Sequence, residues 1–221
     1  MVEFKIRSYV ASDYEVVRDL FSHGMSEYVP SVCIHVVTRP WVLFVMACTF
    51  LSLLFSSKSV ILPVLAVTLL LALGRHLLGY IWSLYIDHCL KADLQDIQKT
   101  YMENQGSHFW VAEVEDTVVG TVAAKPSDEN PHELVLKRMS VRKDFRGLGM
   151  AKALSREVMG FARQRGYNSV ILNTLMVQRE AQRMYESVGF KKYTEFVLPT
   201  VYGQLVNFTI SKYRYDILPE N

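Results

Sequence analysis

Two apolar runs restrict this chain more than any other feature. Trp41 to Phe55 carries no charged side chain, nor does Ser59 to Leu73, and Ser56-Ser57-Lys58 lies between them. As an α-helix, each run spans roughly 22 Å, against a hydrocarbon core of about 30 Å. One long span, a membrane-embedded hairpin and the core of a soluble domain are the three ways to accommodate them. The soluble core is the poorest fit, because Trp41–Leu73 holds Lys58 as its single charge and would have to be covered on all sides. A cleaved signal peptide is not expected either, since a long stretch of mixed composition precedes the first run. The expectation is membrane attachment and lipid contact through residues 41–82.

The rest of the composition narrows the functional classes. Lys and Arg total 24 against 22 Asp and Glu, a net charge of +2, which is too small a field to argue for nucleic acid as a partner. Cys33, Cys48 and Cys89 are odd in number and far apart. They suggest reduced thiols rather than a disulfide framework or a zinc site. The six histidines lack the paired spacing that binds zinc on a helix, so no metal centre is expected. At 221 residues the chain can build one domain with a sizeable core.

Periodicity then places the elements. Phe4 to Tyr9 alternates as a strand, and Ser12 to Glu15 reads as a capping box opening a helix with Val16, Val17, Leu20 and Phe21 on its apolar face. Pro40 suits a first helical position. Leu90 to Met102 reads as an amphipathic helix that presents Leu94, Ile97 and Tyr101 on one side. Phe109–Val114 and Val118–Ala124 form a hairpin around Glu115-Asp116, and Glu133–Val141 is a third strand. A helix from about Gly149 to Gln164 stops at Gly166. A strand over Ser169–Asn173, a helix over Gln178–Ser187 and strands over Lys192–Val197 and Val206–Tyr213 complete a mixed α/β pattern.

Between the third strand and the following helix lies Arg146-Gly147-Leu148-Gly149-Met150-Ala151. Two glycines let the backbone turn tightly and approach a ligand, and the helix start adds unpaired amides and a positive dipole end, a suitable cradle for phosphate. Arg146, Gly149 and Ala151 match the acetyl-CoA signature R/Q-x-x-G-x-G/A. Downstream, Ala181, Tyr185, Glu186, Gly189 and Phe190 match N-x-x-A-x-x-L-Y-E-x-x-G-F, with Gln178 where asparagine is usual and Met184 where leucine is usual. On these residues the chain resembles the GNAT superfamily of acetyl-CoA-dependent N-acetyltransferases. The insert after the first helix, with Arg138-Met-Ser-Val141 and Phe145-Arg-Gly, looks like its camello-like, membrane-bound branch.

The resemblance implies a GNAT-like mixed central sheet flanked by helices, with a membrane-embedded helical hairpin inserted after the first strand–helix unit. It divides the chain into 1–39 (first strand and helix), 40–82 (membrane hairpin) and 83–221 (remainder of the acetyltransferase domain). Acetyl-CoA is the implied co-substrate, held by Met139, Val141, Arg146, Gly147, Leu148, Gly149, Met150, Ala151 and Gln178. Backbone amides around Met139 to Val141 would serve the oxyanion, and Tyr185 would protonate the leaving thiolate. Glu133 is the candidate base, with a solvated strand-end charge as the alternative. Arg138 would hold an acceptor carboxylate or else face outward, and strand alternation puts Lys137 and Arg138 on opposite faces.

Both ends of the insert must reach one folded domain, so two crossings or a re-entrant hairpin is required. Arg39 and Arg75 flank its open ends and favour the cytosolic side. The branch implies the endoplasmic reticulum membrane and a small amino acid or cysteine S-conjugate as acceptor. Protein lysine, aspartate, or a non-catalytic interaction module are the alternatives.

Overall fold

The first contacts of the chain are set by charge rather than by the serine cap expected from the sequence. In the computed structural model, which describes residues 3–217, strand β1 (Lys5–Ser8) leads through a 3-10 turn at Ala11–Asp13 into helix α1 (Tyr14–Ser26). Asp13 takes over the capping role assigned to Ser12. Its carboxylate accepts the Val10 N–H at 3.0 Å and the Arg7 fork at 2.7 and 3.0 Å, while Arg7 Nε donates to Glu113 at 2.6 Å. A charge-assisted, bidentate partner outcompetes a hydroxyl for that position. Val17, Leu20 and Phe21 of the expected stripe are buried, and Val16 is exposed.

Helices α2 (Val29–Val37), α3 (Pro40–Ser57) and α4 (Ile61–Lys91) follow. Periodicity had not singled out α2. Pro40 occupies the first turn of α3, and Lys58 ends that helix in a left-handed conformation at φ 52°. At about 1.5 Å per residue, α3 is roughly 27 Å long and α4 roughly 46 Å. Both are long and apolar enough to cross a membrane, and α3 buries none of its residues. The chain forms two compact units, Ser26–His88 and the sequence on either side of it. The inner unit starts before residue 40 because α2 belongs to it, and α4 runs unbroken past Trp82.

The helix expected over Leu90–Met102 is a correction. Helix α4 stops at Lys91 and a π-helical turn covers Gln98–Met102. Arg18 Nη1 donates to the carbonyls of Leu90 at 2.7 Å and Leu94 at 2.6 Å, so a long-range guanidinium competes for the oxygens that a continuous helix would use. Leu94, Ile97 and Tyr101 are nonetheless all buried.

Strand β2 (His108–Val114) turns into β3 (Thr117–Pro126) through Glu115 and Asp116, both left-handed at φ 46° and 59°, the conformation that a two-residue hairpin turn requires. Then come β4 (Glu133–Val141), α5 (Met150–Gln164), β5 (Ser169–Leu175), α6 (Arg179–Ser187), β6 (Lys191–Val197), α7 (Val201–Val206) and β7 (Thr209–Asp216). Helix α7 lies where the sequence reading had a loop and the start of the last strand. Its cap is Thr200, whose Oγ1 accepts from Gly203 N–H at 3.1 Å.

The sheet order is β1-β2-β3-β4-β5-β7-β6. Each neighbouring pair is antiparallel except β4 and β5. Met150, Leu154, Val158 and Ala162 of α5 bury their apolar face in one core with Trp110, Val122, Leu134, Leu136 and Leu172. This is the mixed α/β sheet flanked by helices that the motifs implied.

Burial works to raise the Asp13 carboxyl, but the Arg7 fork and the Val10 N–H outweigh it and hold the group below the usual carboxylate range. Its contribution to stability is therefore complete above that range and is lost as pH falls through it. Asp13→Asn is expected to destabilise the detergent-solubilised protein by about 2 kcal/mol at pH 7 and by much less near pH 3. Thermal unfolding at the two pH values checks this; an equal loss at both would assign the effect to shape rather than charge.

Candidate active site

Strand β4 carries two irregularities that together make a site. The first is its pairing with β5, which joins Glu133, Leu134 and Val135 to Ser169, Val170 and Ile171 and then stops. Strand β4 continues to Val141 while β5 runs on to Leu175, paired with β7 along its whole length. Strands that part in this way leave an edge of β4 facing a gap inside the sheet. Arg142 N–H donates to Val119 O of β3 at 2.8 Å, so alternation turns the N–H groups of Val141 and Met139 away from β3 and toward the gap.

The second irregularity is a bulge. The β3–β4 register slips between Thr121 and Ala123, and Arg138 is left-handed at φ 55°. Thr121 Oγ1 donates to the Arg138 carbonyl at 2.9 Å. The extra residue overturns the alternation expected for Lys137 and Arg138, because both side chains now reach Asp93. Arg138 donates to it from Nε at 2.9 Å and also from Nη2, and Lys137 Nζ lies 3.7 Å away. The Arg138 fork, expected to hold an acceptor carboxylate or to face outward, therefore holds a carboxylate of the protein itself and is almost fully buried. Asp93 was not flagged by the sequence, and Tyr101, which donates its hydroxyl to Asp93, was read only as part of an apolar face. A lone Asp in a helix-like stretch carries no signal of a partner forty-five residues away.

The gap opens onto the glycine corner. A 3-10 turn at Lys143–Phe145 follows β4, and Arg146 Nε donates back to Val141 O at 2.9 Å. Gly147 and Gly149 take φ 78° and 85°, and a side chain at either would meet nothing within 4 Å. Their glycine character is required by the backbone, and the space beside it is open. Helix α5 begins at Met150, whose side chain is buried in the core, so only its backbone can serve a ligand. Leu148 is exposed and Ala151 half-buried. The fifteen residues of α5 aim a dipole and free first-turn amides at the corner.

The far wall of the gap is β5 with the start of α6. Gln178 Oε1 accepts from Leu175 N–H at 2.9 Å, and Gln182 Nε2 donates to Thr174 Oγ1 and Leu175 O, both at 3.2 Å. These two amides clip the end of the strand to the helix. Tyr185 is buried with 5% of its surface exposed, edge-on to Phe190 at 5.6 Å between ring centres. Gly189 at φ 103° lies against the Tyr215 ring, 3.2 Å from where a Cβ would sit. Glu186 accepts from the Tyr213 hydroxyl at 2.9 Å, and burial followed by this bond pushes that hydroxyl up to about 12.

Glu133 sits at the closed end of the gap, where Arg214 Nη1 donates to it at 2.8 Å. Eight residues of strand separate it from Val141, roughly 26 Å at ~3.3 Å per residue. Apart from Tyr185, which is buried in the core cluster on α6, the residues named from the sequence divide into two sets. Met139, Val141, Arg146 to Ala151 and Gln178 border the gap and its mouth, whereas Glu133 and Arg138 lie in ion pairs deeper along β4. Among the described residues, no group of three His, Cys, Asp or Glu side chains is placed to hold a metal ion.

Sequence and structure comparisons agree with this geometry. Residues 73–190 match the model of the acetyltransferase (GNAT) family. The probable N-acetyltransferase camello of Xenopus tropicalis is 40% identical over 217 residues, covering 98% of this chain and 99% of that protein. N-acetyltransferase 8 of Mus musculus is 41% identical over 195 residues, 87% of this chain and 86% of its own. A GNAT-family acetyltransferase crystal structure from Staphylococcus aureus Mu50 superposes with a TM-score of 0.57 at 18% identity, covering 98% of this chain and 100% of that one. A ribosomal-protein-alanine N-acetyltransferase from Brucella melitensis does so at 0.57 and 15%, over 96% and 99%. By its family match and by relatives of this similarity, the chain belongs to the GNAT family of N-acetyltransferases, in its camello-like branch.

Proposed function

We propose that this enzyme transfers the acetyl group of acetyl-CoA to the amine of a small amino acid or cysteine S-conjugate at a membrane surface. The observation that supports the co-substrate most directly is the free edge of β4 beyond Val135 leading to a corner where Gly147 and Gly149 leave open space. That corner fits a pyrophosphate, held by Arg146 and by the amides of Gly147, Leu148, Gly149, Met150 and Ala151. The pantetheine arm lies along β4 with Gln178 opposite. Acetyl-CoA supplies an activated acyl thioester.

The chain supplies the rest. The N–H groups of Met139 and Val141, fixed by the strand, donate to the thioester carbonyl oxygen where negative charge develops. Tyr185 gives a proton to the departing thiolate. The proton of the incoming amine passes to solvent water; Glu133, held by Arg214 and roughly 20 Å of strand from Met139, is beyond the reach of one bridging water. A small acceptor suits a site whose mouth is taken by the cofactor and whose closed end is lined by paired charges. A lipophilic thioether substituent suits an enzyme beside a bilayer.

The membrane reading rests on α3 and α4 and on chain connectivity. The outer unit is left at Met25 and rejoined at Cys89. If the intervening segment crosses the bilayer, it crosses an even number of times. Arg39 at the start of α3 and Arg75, which ends the uncharged run within α4, favour the cytosolic side for the catalytic unit, and the endoplasmic reticulum is the proposed membrane.

Four measurements test this reading. Tyr185→Phe lowers turnover about a hundredfold, with acetyl-CoA affinity by calorimetry little changed; unchanged turnover removes Tyr185 from the chemistry. Gly149→Val, which forces a β-branched residue to φ 85°, weakens acetyl-CoA binding at least about tenfold. The acceptor is found by comparing S-benzylcysteine, aspartate and lysine peptides for release of free CoA by membrane-embedded enzyme. For orientation, a polar extension bearing a glycosylation sequon after Lys58 becomes glycosylated, whereas native Asn207, exposed in Asn207-Phe208-Thr209, does not. Modification of Asn207 would reverse the topology.

A further inference from the structure

The polar cluster beneath the β4 bulge has no role in the chemistry above, yet it lies directly behind the amides assigned to the thioester. Asp93 receives three hydrogen bonds there: Arg138 Nε at 2.9 Å, Arg138 Nη2 and the Tyr101 hydroxyl. Lys137 Nζ adds a fourth contact, and a second positive charge, at 3.7 Å. The Arg138 guanidinium also lies over the Phe21 ring, 4.8 Å from its centre. Only 12% of the Asp93 side chain and 10% of that of Arg138 are exposed. Burial would raise the Asp93 carboxyl, but Arg138 and Tyr101 outweigh it and keep the group ionised.

The backbone of Arg138 explains why so much charge is gathered here. At φ 55° it occupies a region that residues with a Cβ avoid, and arginine brings no local side-chain bond to ease it. Such a conformation persists only when the surroundings over-determine it. From below, Asp93 grips the side chain with two-point geometry; from β3, Thr121 Oγ1 holds its carbonyl at 2.9 Å. The next residue is Met139, whose N–H faces the gap. A β4 without the bulge would shift the register by one and turn the amides of Met139 and Val141 onto the β3 side.

We propose that Asp93 is a positioning residue for acetyl transfer: by gripping the Arg138 fork it holds β4 in the bulged form that aims the Met139 and Val141 amides at the thioester carbonyl. This rests on the role given to those amides above. Asp93 itself touches neither co-substrate nor acceptor.

The test uses the full chain in lipid nanodiscs and carbonyl-labelled acetyl-CoA, whose isotope-edited infrared stretch reports hydrogen bonding to the thioester oxygen. Turnover is followed with whichever acceptor the wild type acetylates fastest. Asp93→Asn is expected to lower turnover at saturating acetyl-CoA by at least about tenfold, to change acetyl-CoA affinity less than about threefold, and to return the carbonyl stretch toward its free value. Because a lone buried Arg138 could unfold the chain, two double variants remove both charges. Asp93→Asn with Arg138→Gly regains much of the turnover and the infrared shift, since glycine adopts φ 55° unaided. Asp93→Asn with Arg138→Ala does not. Equal behaviour of the two double variants, or an undisturbed Asp93→Asn enzyme, overturns the proposal. A wild-type stretch identical to that of free acetyl-CoA overturns instead the amide reading beneath it, and the proposal with it.

Discussion

The parting of β4 from β5 after Val135 is the constraint on which the rest of the catalytic unit depends. Leu134, Leu136, Val170 and Leu172 are buried in one core beneath α5, so the closed end of the gap is held by packing. Beyond it, β5 loses nothing, because β7 takes up its other edge along the full strand. Strand β4 is the one left with an unpaired edge, and it has to keep its shape without the ladder that ordinarily fixes a strand. Unpaired backbone amides are costly when dry, which is why such an edge occurs where solvent or a ligand can reach it. The support for β4 comes instead from β3 on one side and from side chains below.

That support is electrostatic in an unusual degree. Setting Asp93, Arg138 and Lys137 beneath a strand takes three charges largely out of water, and a packed apolar cluster of similar volume would commonly be at least as stable. What an apolar cluster lacks is direction. A carboxylate that takes Nε and Nη2 of one guanidinium fixes both the position and the plane of that group, and through it the backbone of Arg138. Tyr101 fixes the carboxylate in turn, anchored by ring contact with Phe109 at 5.6 Å. Shape is transmitted from the buried turn after α4 to the strand that borders the gap.

Local features were legible in the sequence, and long-range ones were not. Glu115-Asp116, the stop at Gly166 and the glycine corner depend on backbone conformations that a few adjacent residues dictate, and each lies where its residues imply. The burial of Leu94, Ile97 and Tyr101 was also readable, since it needs only an apolar face. The helix assumed to carry them was not, because Arg18, far away in the chain, takes the carbonyls of Leu90 and Leu94. The Ser12 cap gave way to Asp13 for the same reason, an arginine arriving from β1. In the candidate site, the glycines and Gln178 could be placed by motif. The shared face of Lys137 and Arg138 could not, since strand alternation is a rule about regular pairing and the bulge breaks it.

The long insert asks little of the fold that carries it. Arg7 of β1 and Glu113 of β2 are joined at 2.6 Å across 106 residues, and the β1–β2 pair has to close around everything between. Loop-closure entropy grows only with the logarithm of length, about 0.6 kcal/mol for each doubling. Stretching a connection of roughly eight residues to the length of Ser26–His88 is about three doublings, or roughly 2 kcal/mol. That is of the order of one well-formed charged hydrogen bond, and the part-buried Arg7–Glu113 bond spans the point of closure, with Asp13 holding the same guanidinium. The sheet can therefore keep its strand order while the inserted helices change in length. The inserted helices and the strands that border the gap are separate parts of the chain, joined at Met25 and Cys89.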